Sequence, residues 1–311
     1  MSQQITLPQT TKGVEAPTER RPRRRRGGSM NLMYVPAIAM VAIFMIYPLV
    51  QGVGLAFTNW DGYSPTKAFV GFDNFARLFN DKTFLTALIN TLIYGVGCTV
   101  LQQIIGLALA VALDGAGRSK AFARALIYLP VLVSPVVMSM MYYFLFQYDR
   151  GALNDILVAL GFDRIAWLST GPGTVTIVVL INTLQFVGIS MVIYLAGLQG
   201  IGQEINEAAE VDGARGLRLF RSITLPLLRP AIISSMIINL IGGLKLYDVV
   251  QVLTGGGPGY SSHSVSTLIA RSYFGQQAAG YASAMGVALF VLIAVVSIFL
   301  VTRMDRTGKD I

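Results

Sequence analysis

Apolar runs separated by short polar segments dominate the chain. Six runs, at about 32–57, 86–113, 121–146, 174–198, 231–253 and 282–301, are long and almost free of charge. A helix needs roughly 20 mainly apolar residues to cross a hydrocarbon core about 30 Å thick. The pattern therefore predicts an all-α membrane protein with six transmembrane helices. Pro36, Pro48, Pro130 and Pro135 fall inside these runs and predict kinks. Residues 1–29 contain almost nothing that could be buried and are expected to form a disordered basic tail. The apolar run that follows is too long for a signal-peptide core and has no small-residue cleavage site.

Composition agrees with the pattern. The 311 residues are 54% hydrophobic and 13% charged, and mean hydropathy is +0.61. Soluble domains carry about 25% charged residues. The single Cys98 excludes a disulfide framework, and the single His263 removes most zinc-site readings. The net charge of +8 could suggest nucleic acid, but its placement does not: Arg20, Arg21 and Arg23–Arg26 crowd just ahead of the first apolar run. That is where a topology determinant sits. With both termini inside, seventeen Lys and Arg fall on the cytoplasmic side and six outside (Lys67, Arg77, Lys82, Arg150, Arg164, Arg271). The bias supports six spans in an N-in, C-in arrangement and puts the loop 199–229 in the cytoplasm.

That loop carries the most specific signal. Glu207-Ala208-Ala209 is followed after three residues by Gly213, and Ile223-Thr224-Leu225-Pro226 begins nine residues later. Ile205, Ala208 and Ala209, at i, i+3 and i+4, predict a short helix with a small apolar face, flanked by Glu207 and Glu210. Gly213 suits a left-handed helix end, and a second short helix is expected over 214–222. An ordinary solvated loop would account for four acids balanced by four arginines, but not for the Ala-Ala pair, the placed glycine or the Ile-x-Leu-Pro ending. The spacing resembles the EAA loop of binding-protein-dependent ABC importer permeases. The resemblance implies that Glu207, Ala208, Ala209, Gly213, Ile223, Leu225 and Pro226 form a coupling element that docks on a cytoplasmic ATPase. Gly308-Lys309 lacks the rest of a phosphate-binding loop. No cofactor is expected in this chain, and ATP and Mg would be bound by the partner ATPase.

Further segments resemble the carbohydrate-type permeases of the maltose, oligosaccharide and glycerol-phosphate systems. They are Tyr247–Pro258 (YDVVQVLTGGGP), Gly151–Asn154 with Leu160-Gly161, Asn90-Thr91 and Tyr281–Ala284. The likeness covers about residues 30–305, leaving 306–311 as a cytoplasmic tail, and implies the compact type I importer permease fold. Gly255–Gly259 is expected to be a flexible outer turn that receives a binding protein. Polar residues within apolar spans tend to line cavities. Asn182 and Gln185 with Phe186, and Asn239 with Gly242 and Gly243, fall where the resemblance implies a sugar pathway. The competing reading is interhelical bonding by the amides and close packing by the glycines. Asn90, Gln102 and Gln103 are assigned to packing, and Lys245 to snorkelling or pairing with Asp248. Tyr142, Tyr143 and Phe144 are assigned to a membrane interface, and Cys98 to the interior.

The expectation is a non-enzymatic, multi-pass permease subunit of an ATP-driven importer in a bacterial plasma membrane, carrying a carbohydrate, most simply an oligosaccharide. Its implied partners are a second homologous permease chain, two ATPase subunits, an extracytoplasmic sugar-binding protein and membrane lipid, with no nucleic acid. Glycerol phosphate or another small polar solute is the alternative cargo. An ion-coupled secondary transporter is the alternative class, disfavoured because the spans contain no paired acids, Asp248 lying at the outer edge of its span, and no evident repeat.

Overall fold

Apart from one bridge between Thr58 and Phe69, regular structure in the computed structural model is helical. It describes residues 34–308. The tail expected at 1–29 lies outside the described residues, and of the tail expected at 306–311, residues 306–308 continue the last helix while 309–311 lie outside. The chain divides into two compact units, residues 1–49 and 50–311. The described part of the first is helical from Tyr34 onward and has no buried residue. A π-helical turn, Ala42–Ile46, lies just before Pro48. That proline cannot donate a helix hydrogen bond, and such turns accommodate the gap. This helix, α1, ends at Leu55.

In the second unit a short amphipathic helix, α2 (Asp73–Asn80), leads into α3 (Lys82–Leu113). The Asp81 carboxylate caps α3 by accepting from the Thr83 and Phe84 amides at 2.8 and 3.3 Å. Thirty-two residues at about 1.5 Å each exceed the hydrocarbon thickness. The central element is α7 (Gly171–Gln199), whose apolar window is 61% buried, the largest share among the spans. It packs against α3, α4 (Arg118–Leu132) and α10 (Arg229–Leu244). Tyr94, Cys98, Val178, Ile181, Val249 and Val250 form the heart of this packing, so Cys98 lies in the interior as expected. The last span is α13 (Ala279–Gly308).

The third predicted span is not one helix. It breaks after α4 and resumes as α5 (Pro135–Phe146) with a 96° bend. Val133 and Ser134 are extended, with ψ of 138° and 133°. Pro135 imposes that on the residue before it and offers no amide to bridge the gap. Proline therefore does more here than kink a span. The fifth span is also interrupted, at 245–247, before α11 (Asp248–Leu253). Tyr142, expected at an interface, turns inward beside Phe146 and Trp167, whereas Tyr143 and Phe144 remain outside.

The outer connections are held by buried amides. After α5 comes α6 (Ala152–Ala159), where the Asn154 amide donates to the carbonyls of Gln147, Tyr148 and Ile165 and its oxygen accepts from Ile165 and Trp167. The glycine-rich turn at 255–259 is followed by a segment, 261–265, that is pinned to α3. Asn90 donates to the Ser261 and His263 carbonyls at 2.7 and 3.1 Å, and the Tyr94 hydroxyl donates to Ser262 at 2.7 Å. The Thr91 hydroxyl accepts from the Val265 amide at 2.9 Å. Asn90 thus anchors a loop rather than joining two spans.

Candidate functional site

Residues 200–202 join α7 to α8 (Gln203–Val211). The helix ends as its sequence requires. Gly213 has φ of +81°, the Ala214 amide donates to the Ala209 carbonyl at 2.9 Å, and the Gly213 amide donates to Glu210 at 3.1 Å. This 6→1 and 5→2 pair is a Schellman end, which consumes carbonyls the helix leaves free. The predicted apolar face splits. Ala209 turns inward at 5% exposure, while Ile205, Ala208 and Val211 stay exposed. Glu207 accepts from the Gln203 amide at 2.8 Å on the solvent side. Glu210 does not share that face; it borders a cavity of about 300 Å3 closed by Val111, Leu198 and Phe220.

The second short helix, α9, covers 217–227 rather than 214–222. Gly216, with φ of +54°, delays its start. Ile223, Leu225 and Pro226 lie within it, half-buried, and a π-helical turn, Phe220–Thr224, again precedes the proline.

Five of the six residues assigned to a pathway converge. Asn182, Phe186, Asn239, Gly242 and Gly243 line a cavity of about 240 Å3 where α3, α7 and α10 meet. The two glycines differ in role. A Cβ on Gly242 would meet open space, whereas one on Gly243 would lie 2.8 Å from the Gly95 Cα and 2.9 Å from the Tyr94 oxygen. Gln185 is not in the cavity. Fully buried, it donates to the Val133 carbonyl at 3.2 Å, the group exposed by the break before Pro135. Asn239 lines the cavity and also donates to the Ser190 hydroxyl at 2.6 Å, so both readings of that amide apply.

Three lining residues were assigned elsewhere by sequence. Gln102 donates to the Asn182 carbonyl at 3.2 Å and closes the cavity wall. Lys245 and Asp248 both border the cavity, and among the described residues they form no ion pair with each other. The interruption at 245–247 separates them, since i and i+3 face one another only on continuous helix.

A polar chain behind the cavity escaped sequence reasoning. The Tyr194 hydroxyl donates to Gln103, Gln103 to Ser235 at 3.0 Å, and Ser235 to Ser190 at 3.1 Å. The Ser235–Asn239 spacing of four was the available signal. The partners on α3 and α7 lie too far away in sequence to be matched.

Comparisons with known proteins bear on this geometry. The sequence model of a family described as "Binding-protein-dependent transport system inner membrane component" matches residues 102–307. The multiple sugar-binding transport system permease protein MsmF of Streptococcus mutans is 34% identical, covering 86% of this chain and 92% of its own length. The diacetylchitobiose uptake system permease protein NgcF of Streptomyces coelicolor is 32% identical, over 93% and 88%. Among solved structures, a chain of a bacterial ABC transporter that imports the acidic polysaccharide alginate superposes with a TM-score of 0.78. It is 25% identical, with 89% of this chain and 95% of that one covered.

Proposed function

Because this chain belongs to the binding-protein-dependent transport system inner membrane component family, we propose that it is the sugar-carrying permease subunit of an ATP-driven importer. The observation that carries the carbohydrate reading is the cavity: amides, a tyrosine and one phenyl ring surround a space of about 240 Å3. Amides exchange hydrogen bonds with hydroxyls, and an aromatic ring covers the apolar face of a sugar. The relatives named for sugar uptake support the same assignment.

Coupling would run along α7. A partner ATPase dimer that closes on ATP would displace α8, which only three residues separate from α7. Phe186 lies thirteen residues above Gln199, about 20 Å along the helix axis, so a tilt of α7 reaches the cavity directly. Glu207, Ala208 and Gly213 would set the docked surface, and Ile223, Leu225 and Pro226 the element returning to α10. ATP and Mg would bind to the ATPase chains. We place the complex in the cytoplasmic membrane, with a second permease chain, two ATPase subunits and an extracytoplasmic binding protein.

The test is ATP-driven uptake of malto-, cello- and chito-oligosaccharides by the complex reconstituted with its copurifying partners. Uptake of at least one series is expected. Glu207→Lys should abolish it while leaving the recovered amount of this chain unchanged, because the side chain is exposed. Full ATP-driven uptake by that variant would remove the coupling role.

A further inference from the structure

A second cavity lies beyond the first, on the side of the chain that carries the turn 254–264. It measures about 250 Å3 and is lined by Tyr247, Gln251, His263, Arg271 and Phe274 together with small residues. Tyr247 borders both spaces. It sits in the interruption between α10 and α11, where φ of −125° and ψ of −59° depart from helix. Taken singly, each space falls below the roughly 300 Å3 at which small-molecule sites begin; their volumes taken together exceed it.

The outer space is built, not incidental. The helical segment 265–275, α12, starts at Ser264 with a reciprocal Ser264–Thr267 capping box and supplies Arg271 and Phe274. The Arg271 guanidinium lies over the Tyr260 ring at 4.6 Å and donates to its hydroxyl at 2.8 Å. Among the described residues it has no carboxylate partner. Its planar fork is therefore held in place with donors to spare. His263 bonds Thr267 through Nδ1 at 2.9 Å. Burial, with Arg271 nearby, holds its imidazole below the usual value, so it is neutral at pH 7. Phe274 is 73% exposed, a large ring with little to cover it.

We propose that the outer space is a second sugar subsite, and that the two spaces together hold neighbouring rings of one linear oligosaccharide threaded past Tyr247. Phe274 would lie against a ring face, Gln251 and Arg271 would bond its hydroxyl or carboxylate oxygens, and Tyr247 would contact the linkage. This rests on the carbohydrate reading above and adds a substrate class: chains of two or more rings gain contacts that a monosaccharide does not reach.

The test uses the reconstituted complex with one unchanged binding protein and ladders of one to five rings of malto-, cello- and chito-oligosaccharide. Phe274→Ala and Arg271→Ala should each lower uptake of two-ring and longer sugars by about tenfold relative to the one-ring sugar, the loss of a stacking or charge-assisted contact. Because Phe274 is so exposed, its replacement removes little packing and keeps the test open if Arg271→Ala fails to assemble. An equal effect on every length, or none, would overturn the second subsite while leaving the carbohydrate reading intact. So would transport confined to monosaccharides. Uptake of no sugar in any ladder would remove the carbohydrate reading and the second subsite together. Whether acidic rings are preferred is read by adding alginate oligosaccharides to the same ladder: a loss confined to these on Arg271→Ala assigns the guanidinium to carboxylate.

Discussion

Adjacent glycines at 242 and 243 solve different problems. Gly243 lets α10 approach α3 so closely that a methyl group would strike the Gly95 Cα and the Tyr94 carbonyl, both backbone atoms that cannot move aside. Gly243→Ala should therefore destabilise by roughly 1–3 kcal/mol, the usual cost of overpacking. Gly242→Ala meets open space and should leave the melting temperature of the detergent-purified chain nearly unchanged while slowing sugar uptake. Equal melting shifts for the two would sink this division of labour. The sequence marked both glycines as space-openers because a glycine's neighbours across a helix pair are not visible in one dimension. The same limit applied to Asn239 and Gln185. Both stood out as polar residues in apolar spans, but their partners lie on other helices, at Ser190 and Val133.

At the scale of elements, hydrophobic runs located every long helix and proline located the broken third span, though not the interruption at 245–247. What they could not give was the angle. The 96° break between α4 and α5 leaves the Val133 carbonyl without a helical partner, and Gln185 from the middle of α7 donates to it. Gly188 lies one turn further along α7, where a Cβ would come within 3.0 Å of the Ile127 carbonyl and the Tyr128 Cα, so α4 is held at that distance too. Gln185→Leu preserves bulk but strands the half-buried Val133 carbonyl. It should cost roughly 1–3 kcal/mol, seen as a lower thermal midpoint, whereas Gln185→Glu would place a charge in the same buried position and cost more. A leucine variant as stable as the original would show that the break does not need this bond. The glycine-rich segment 255–259 shows another limit of composition. Its glycines do adopt φ values of +59°, +88° and +55° at 255, 256 and 259, yet Asn90, Thr91 and Tyr94 fix the turn from α3. Glycine content reported the backbone conformation, while the anchoring of the residues that follow depends on side chains of α3 that composition does not reveal.

For the molecule as a whole, the proposed coupling surface can be argued from what α8 leaves uncovered. With Ala209 turned inward, the outward face holds Glu204, Glu207, Ala208 and Val211. Sequence spacing identified the helix and its glycine end but placed the contact on Ile205, Ala208 and Ala209. Val211, a helix-end residue in the sequence, joins the outward face once Ala209 is seen to point the other way. Val211 is 87% exposed. A lone exposed valine needs no explanation, but one rimmed by acids at the end of a short helix is suited to an apolar socket with a basic edge. Burying such a side chain is worth roughly 1.5–3 kcal/mol, and replacing it with a charge adds a desolvation cost. Val211→Asp should therefore weaken capture of the ATPase subunits by more than about tenfold, measured by their recovery with this chain in detergent. The melting temperature of the chain alone should barely move, since exposed substitutions usually fall within about 0.5 kcal/mol. Undiminished recovery with Val211→Asp, alongside a loss with Ala208→Arg, would put the contact back on the alanine side. Undiminished recovery with both would mean that α8 is not where the ATPase grips this subunit.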